Sequence, residues 1–145
     1  MSYVKITRPR HAVAQVTLDR PERMNAMAFD VMVPLREALE ELSFDNSVRV
    51  VILTGAGEAF CSGADLVDPG YLSIFDGLTM SGIARRALRV MDDVVRTMRD
   101  MHQPVIAAIN GAAIGGGFCL AMAADIRIAA EQAYFRAAGI NNGLT

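Results

Sequence analysis

The chain has 145 residues, of which 52% are hydrophobic and 21% are charged. This balance excludes intrinsic disorder and fits a single globular domain. The net charge of −2 excludes bulk attraction to nucleic acid or to an anionic membrane. The first ten residues lack the apolar core of a secretory signal, and the two cysteines have no metal-ligand or CxxC spacing. We therefore expect a cytoplasmic location, reduced thiols and no bound metal.

Apolar and β-branched runs predict strands in the first third of the chain. Residues 4–7 and 13–18 form two short strands, with His11 in the turn between them, and residues 19–23 form a loop. Residues 48–53 are mostly β-branched, which is typical of a strand buried on both faces. Residues 55–63 then predict a loop.

Two segments have apolar residues at helical spacing. Residues 28–42 predict a helix, with Met27 on its apolar face, in which Pro34 introduces a kink or restricts the first turn. Residues 68–79 predict a loop or short helices, and residues 83–101 a long helix. This helix carries Arg85, Arg86, Arg89, Arg96 and Arg99. These arginines either meet the phosphates of a ligand or form a solvated face, and the solvated face is the simpler interpretation.

The last third predicts a strand at 104–110, a helix at 116–124 and short strands at 125–129 and 133–135. No charged residue occurs from 103 to 124, which is nearly the length of a membrane span. Pro104, Asn110 and three consecutive glycines favour strand, turn and buried helix, so we expect no membrane insertion. Strands that alternate with helices predict an α/β fold with parallel pairing.

Two strand–turn–helix segments, 50–66 and 104–117, are rich in glycine. Their turns lie beyond the carboxyl ends of strands, where α/β sheets bind ligands. Both lack the third glycine of a dinucleotide motif, since Phe60 and Leu120 stand there, and the only lysine, Lys5, forms no phosphate loop. Free N–H groups at the two turns could form an oxyanion hole. Alternatively, the glycines only allow tight packing.

Three motifs follow one another in the order and spacing of a known family. Arg20-Pro21 precedes Asn25-Ala26, residues 59–66 read AFCSGADL, and residues 104–126 read PVIAAINGAAIGGGFCLAMAADI. Together they resemble the crotonase (enoyl-CoA hydratase/isomerase) superfamily. The resemblance implies the ClpP/crotonase fold, a spiral of ββα units, and a homotrimer or dimer of trimers. Residues 1–145 would be the N-terminal part of one such domain, truncated before the C-terminal trimerisation helices, and we expect it to aggregate or be molten alone.

The resemblance also implies which residues form the site. The N–H groups of Ala64 and Gly116 would be the catalytic oxyanion hole, with Asp65 holding the turn after the first donor. A CoA thioester would be the substrate, without any further cofactor. The residues implied to bind it are Met24, Ala26, Ala64, Asp65, Leu66, Gly116, Cys119 and Gly139.

The chain departs from the family pattern at two positions. Hydratases of the family carry glutamates where this chain has Cys119 and Gly139. Hydration needs paired carboxylates that hold a water and move its proton, and neither a thiol nor a glycine does so. Cys119 is read either as a nucleophile or as a small apolar group that widens the acyl cavity.

Two functions remain open at this point. One is an enzyme that acts on acyl-CoA through a thioester enolate, by isomerisation, decarboxylation, thioester hydrolysis or lyase chemistry. The other is a non-catalytic acyl-CoA binding protein. Asp68 and Tyr71 are the visible candidates for a replacement acid, whereas His102 precedes a strand at its amino end and is read as structural.

Overall fold

A computed structural model describes residues 2–138 of the chain. Within this range the chain forms eight strands, three α-helices and two short 3₁₀ helices at Pro21–Arg23 and Ser73–Phe75. The strands are β1 Val4–Arg10, β2 Val13–Leu18, β3 Val50–Gly55, β4 Ala59–Cys61, β5 Val105–Ile109, β6 Ala112–Ile114, β7 Ile126–Ala129 and β8 Phe135–Arg136. The helices are α1 Phe29–Phe44, α2 Met80–Asp100 and α3 Gly116–Ala123.

Two sheets organise these elements. The larger has the order β1-β2-β3-β5-β7, in which β1 pairs antiparallel with β2 and every other pair is parallel. The smaller sheet, β4-β6-β8, is parallel throughout. Because β3 and β5 are parallel neighbours, the turns that follow them leave the large sheet at the same edge. Each then enters a strand of the small sheet, β4 or β6.

The hydrophobic core joins the large sheet to helices α1 and α2. From α1, Leu35, Leu39 and Leu42 are fully buried, and Val94 and Met98 of α2 belong to the same cluster. Burying each such side chain contributes about 1.5–3 kcal/mol relative to exposure. Pro34 lies in the second turn of α1 and leaves one carbonyl of the first turn without its helical N–H donor. The core packing keeps α1 helical despite this missing hydrogen bond.

The structure confirms the mixed α/β architecture and corrects several details. Strand β4 lies where a loop was predicted at 55–63, and β6 lies inside the second predicted turn. Both have three residues and are stabilised by pairing with each other, a tertiary effect without a local sequence signal. Strand β3 is not buried on both faces, because its residues alternate between buried and half-buried.

Helix α2 begins at Met80, where Thr79 accepts a hydrogen bond from Gly82 N at 3.3 Å. Four of its arginines line an open groove of about 640 Å³, and Arg99 does not; the lining residues are Arg85, Arg86, Arg89 and Arg96 with Leu78, Gly82, Leu88, Asp92 and Asp93. Arg85 and Arg89 are exposed, and Arg99 pairs with Asp125 at 3.3 Å. This exposure fits a solvated face. No helix among residues 2–138 is long and apolar enough to span a membrane.

Candidate active site

The turn after β4 requires glycine at position 63. Gly63 has φ +88°, and a Cβ atom placed on it would lie 2.7 Å from the carbonyl oxygen of Ile114. A side chain here would therefore collide with the backbone that leads into α3. The same Cβ position is 3.4 Å from the backbone nitrogen of Gly116. The turn that carries Ala64 thus touches the first residue of α3.

The N–H of Ala64 points away from the segment that holds its turn. Met27 N donates to Gly63 O at 2.7 Å, and Asp65 N donates to Met27 O at 3.2 Å. This pair forms a parallel bridge between Met27 and Ala64. On the Ala64 strand both bonds are made by its neighbours, Gly63 and Asp65, so the N–H of Ala64 points to the opposite side. It has no acceptor within residues 2–138.

The N–H of Gly116 is free for a different reason. Gly116 is the first residue of α3, and the first intrahelical bond runs from Cys119 N to Gly115 O at 3.0 Å. The first N–H groups of a helix lack intrahelical partners and carry the positive end of its dipole. In the described part of the chain, nothing accepts from Gly116 N. Two N–H groups without an acceptor among residues 2–138 therefore lie on adjacent turns.

Asn25 ties the loop between β2 and α1 to these turns. It is fully buried with φ +54°, a conformation that asparagine tolerates better than most residues. Its Oδ1 accepts from Arg20 N at 2.9 Å, and its Nδ2 donates to the carbonyls of Ala56 and Ala59 at 2.9 and 2.8 Å. Both N–H bonds and the oxygen of the amide thus have partners, which fixes the β3–β4 turn against the loop.

Asp65 anchors the other end of the turn as a buried carboxylate. It accepts hydrogen bonds from Arg23 Nη2 at 2.6 Å, Arg23 Nε at 3.2 Å and Arg20 Nη1 at 3.2 Å. The backbone N–H groups of Val67 and Asp68 add bonds at 3.0 and 2.9 Å. The hydrogen bond from Arg23, with these N–H groups, outweighs burial and holds the pKa of Asp65 well below its usual range. Asp65 is thus ionised at neutral pH.

The remaining predicted site residues differ in exposure. Met24 and Leu66 are exposed, and Cys119 is exposed on α3, whereas Ala26 is buried. The N–H of Ala26 already donates to Arg23 O at 3.1 Å, and Met24 O accepts from Ser62 N at 3.0 Å. Gly139 lies outside the described residues. Both Ala26 and Met24 therefore keep only part of their backbone capacity for a ligand.

The candidate replacement acids are not equally available. Asp68 Oδ2 lies 2.8 Å from Arg20 Nη2, so its charge is already paired. Tyr71 is exposed. His102 lies with Arg49 and Pro104 in a small cavity of about 280 Å³ at the amino ends of β3 and β5, away from the glycine turns. Within residues 2–138 no three His, Cys, Asp or Glu side chains are grouped to hold a metal ion.

Sequence reasoning missed three residues that build this site. Met27 was predicted on the face of α1, but it precedes the helix, and its Sδ would lie 2.2 Å from a Cβ atom on Gly116. Arg20 and Arg23 were part of a loop without an assigned role. The pairing of Arg20 and Arg23 with Asp65 has no local signal in the sequence, because the aspartate lies 45 and 42 residues further along the chain.

The two cysteines have opposite environments. Cys61 is fully buried, and desolvation raises the pKa of its thiol to about 12. It is therefore protonated and inaccessible at neutral pH. Cys119 is exposed on the first turn of α3, the helix that begins at Gly116.

We expect only Cys119 to react with a thiol reagent in the native protein at pH 8. The thiolate is the reactive form, and Cys61 is both buried and protonated there. Counting labelled thiols by mass spectrometry should give one in the native protein and two in denaturant, and Cys119→Ser should abolish the native reaction. Rapid labelling of both thiols without denaturant would show that Cys61 is not packed as described.

Comparison with known proteins identifies the family. Residues 8–145 match the family model described as enoyl-CoA hydratase/isomerase. A protein of Mycobacterium bovis named probable enoyl-CoA hydratase echA12 is 61% identical over 145 residues, which are 100% of this chain and 51% of that protein. The chain spans about half the length of the curated relatives it matches.

Solved structures agree in fold. A probable enoyl-CoA hydratase/isomerase from Mycobacterium abscessus matches with a TM-score of 0.90 and 60% identity, over 99% of this chain and 53% of that one. A monofunctional enoyl CoA isomerase from M. smegmatis matches with a TM-score of 0.79 and 55% identity, over 100% of this chain and 56% of that one. The chain belongs to the enoyl-CoA hydratase/isomerase family and has its crotonase fold.

Proposed function

We propose that this chain binds an acyl-CoA thioester and stabilises its enolate with the N–H groups of Ala64 and Gly116. The observation that carries the proposal is the contact between the two turns, with a Cβ position on Gly63 only 3.4 Å from Gly116 N. Both N–H groups lack acceptors within residues 2–138. Membership of the enoyl-CoA hydratase/isomerase family supports a thioester as the ligand.

The chemistry follows from where charge develops. Removing a proton from the α-carbon of a thioester moves negative charge onto the carbonyl oxygen. Fixed N–H donors that already point at this oxygen stabilise the enolate more than the neutral thioester, and so lower the barrier. Glycine at position 63 supports the proposal because it lets the segment that carries Ala64 approach the backbone at the start of α3.

Among reactions of this kind, we favour double-bond isomerisation over hydration. The relative from M. smegmatis, 55% identical, is titled a monofunctional enoyl CoA isomerase. Isomerisation needs one base, which takes a proton from one carbon of the acyl chain and returns it to another, and it adds no water. It therefore does not need the pair of carboxylates that positions a water. Cys119 stands where the resemblance places the first of that pair, and a thiol does not replace it.

A second candidate function is acyl-CoA binding without catalysis. Asp65 and Asp68, the two acids that follow Ala64, are both paired with arginine. This pairing favours binding without catalysis, because neither carboxylate is free to act as a base. Exchange of the α-protons of butyryl-CoA in D₂O separates the two functions. Exchange faster than in buffer supports an enolate-forming enzyme, whereas tight binding without exchange supports a binding protein.

The assembly and the location belong to the same proposal. We propose a homotrimer or dimer of trimers, in the cytoplasm, with the CoA thioester as substrate and no other cofactor. The family assignment supports the thioester part of this statement. Analytical ultracentrifugation of a protein that includes the C-terminal trimerisation helices implied by the resemblance should then give three or six copies.

Replacing Gly116 should weaken enolate stabilisation when the new residue lacks an N–H. A Cβ at this position meets Met27 Sδ at 2.2 Å, so both variants are made with Met27→Ala to clear the space. Gly116→Pro removes the donor and is tolerated at the first position of a helix, whereas Gly116→Ala is the matched control that keeps it. We expect the exchange rate of butyryl-CoA to fall about 10²–10³-fold in the proline variant relative to the alanine variant. Equal exchange rates in the two variants would show that the Gly116 N–H does not stabilise the enolate.

The unmodified protein should be a poor hydratase of crotonyl-CoA. Each missing acid–base group is worth about 10²–10⁴-fold in rate. Cys119→Glu combined with Gly139→Glu should raise steady-state hydration far more than either single change, because the water needs both partners. Circular dichroism of each variant controls for folding. A kcat near 10²–10³ s⁻¹ for the unmodified protein, at the upper end of typical enzymes, would contradict the assignment of these two positions.

A further inference from the structure

Arg23 holds Asp65 along one edge of its guanidinium group. Arg23 Nη2 lies 2.6 Å from Asp65 Oδ1, and Arg23 Nε lies 3.2 Å from Asp65 Oδ2. Two parallel bonds between a planar guanidinium and a carboxylate fix both the distance and the orientation of the pair. The Asp65 side chain is 2% exposed and that of Arg23 is 35% exposed, so the carboxylate is buried whereas the guanidinium still reaches water.

The carboxylate of Asp65 in turn fixes the residue before it. Its Oδ1 accepts from the N–H groups of Val67 and Asp68, which closes the backbone after Ala64 into a tight turn. On the other side, Asp65 N donates to Met27 O. The peptide that links Ala64 to Asp65 is therefore held through both the backbone and the side chain of Asp65. The N–H of Ala64 belongs to the preceding peptide, whose carbonyl oxygen, Gly63 O, accepts from Met27 N at 2.7 Å. Asp65 therefore acts on this N–H through the backbone dihedral angles of Ala64, which change when a shift of the carboxylate moves Asp65.

We infer that Arg23 is a positioning residue for the oxyanion hole: through Asp65 it sets the direction of the Ala64 N–H without touching the substrate. The inference rests on the proposed function, since it assigns a role to Arg23 in that same site. It explains why a half-exposed arginine of the β2–α1 loop reaches across 42 residues of sequence to a buried aspartate.

Arg20 touches the same carboxylate but serves a different purpose. Its side chain is 5% exposed and also bonds Asp68 at 2.8 Å, while its guanidinium carbon lies 5.0 Å from the ring centre of Tyr3. Removing it would leave a buried carboxylate short of a partner and threaten folding. Arg23 is 35% exposed, so water can replace its bonds to Asp65 and the protein should survive its removal.

The test uses [1-¹³C]butyryl-CoA, which has no double bond to hydrate, bound to the full chain. Polarisation of the carbonyl by the two N–H groups should move its ¹³C resonance downfield in the unmodified protein. We expect Arg23→Ala to lose most of this shift and to lower the α-proton exchange rate by up to about 100-fold. Butyryl-CoA affinity should change far less, because a positioning role for Arg23 involves no contact with the thioester.

Two further variants make the result specific. Arg23→Lys keeps the charge but not the paired geometry, so it should retain an intermediate shift. Arg49→Ala removes an exposed arginine at the opposite edge of the sheet and should leave the shift unchanged. If Arg23→Ala does not fold, the lysine variant decides alone, and a full shift in it overturns the inference.

The two proposals fail in different ways. A full carbonyl shift in folded Arg23→Ala would overturn the positioning role and leave the proposed function intact. Weaker binding of butyryl-CoA with an unchanged shift would do the same, because it would make Arg23 a simple binding residue. Absence of both binding and shift in the unmodified protein would overturn the proposed function itself, and the role of Arg23 with it.

Discussion

The candidate site depends on one backbone contact, the approach of the Gly63 turn to the start of α3. A Cβ on Gly63 would lie 2.7 Å from Ile114 O, so the two segments meet only where that side chain is absent. Strands β4 and β6, which directly precede the two segments, pair in parallel and so bring them side by side. Strands β4 and β6 in turn follow β3 and β5, which are also paired in parallel. The segments that carry Ala64 and Gly116 therefore both start from neighbouring strands of the small sheet.

Buried charge then sets the direction of the Ala64 turn. Removing Asp65, Arg20 and most of Arg23 from water costs free energy, and a buried ion pair often contributes little net stability. The cluster instead fixes the position of the Asp65 carboxylate. This group accepts five hydrogen bonds: one from Arg20, two from Arg23 and two from backbone N–H groups. We interpret the cluster as a device that specifies geometry near the ligand. The neutral partner Asn25 does the same for the β3–β4 turn.

Much of this fold could be predicted from the sequence, because most of its elements have strong local signals. The β-branched run before Gly55 and the long apolar stripe of α2 are correct in type and close in extent. The family was also predictable, from three motifs in order. The three-residue strands β4 and β6 were not, since they exist only by pairing across about 50 residues. Met27 was misplaced for a related reason: its spacing fits α1, yet its backbone is used by Gly63 and Asp65.

The central claim is that Ala64 and Gly116 bind one thioester oxygen. The most direct measurement is a crystal structure of the full chain with an unreactive acyl-CoA thioether or thioester analogue that retains the carbonyl. We expect the carbonyl oxygen about 2.7–3.1 Å from both backbone nitrogens, with Asp65 still bound by Arg23. A carbonyl oxygen more than about 3.5 Å from either nitrogen, in a fully occupied complex, would contradict the claim.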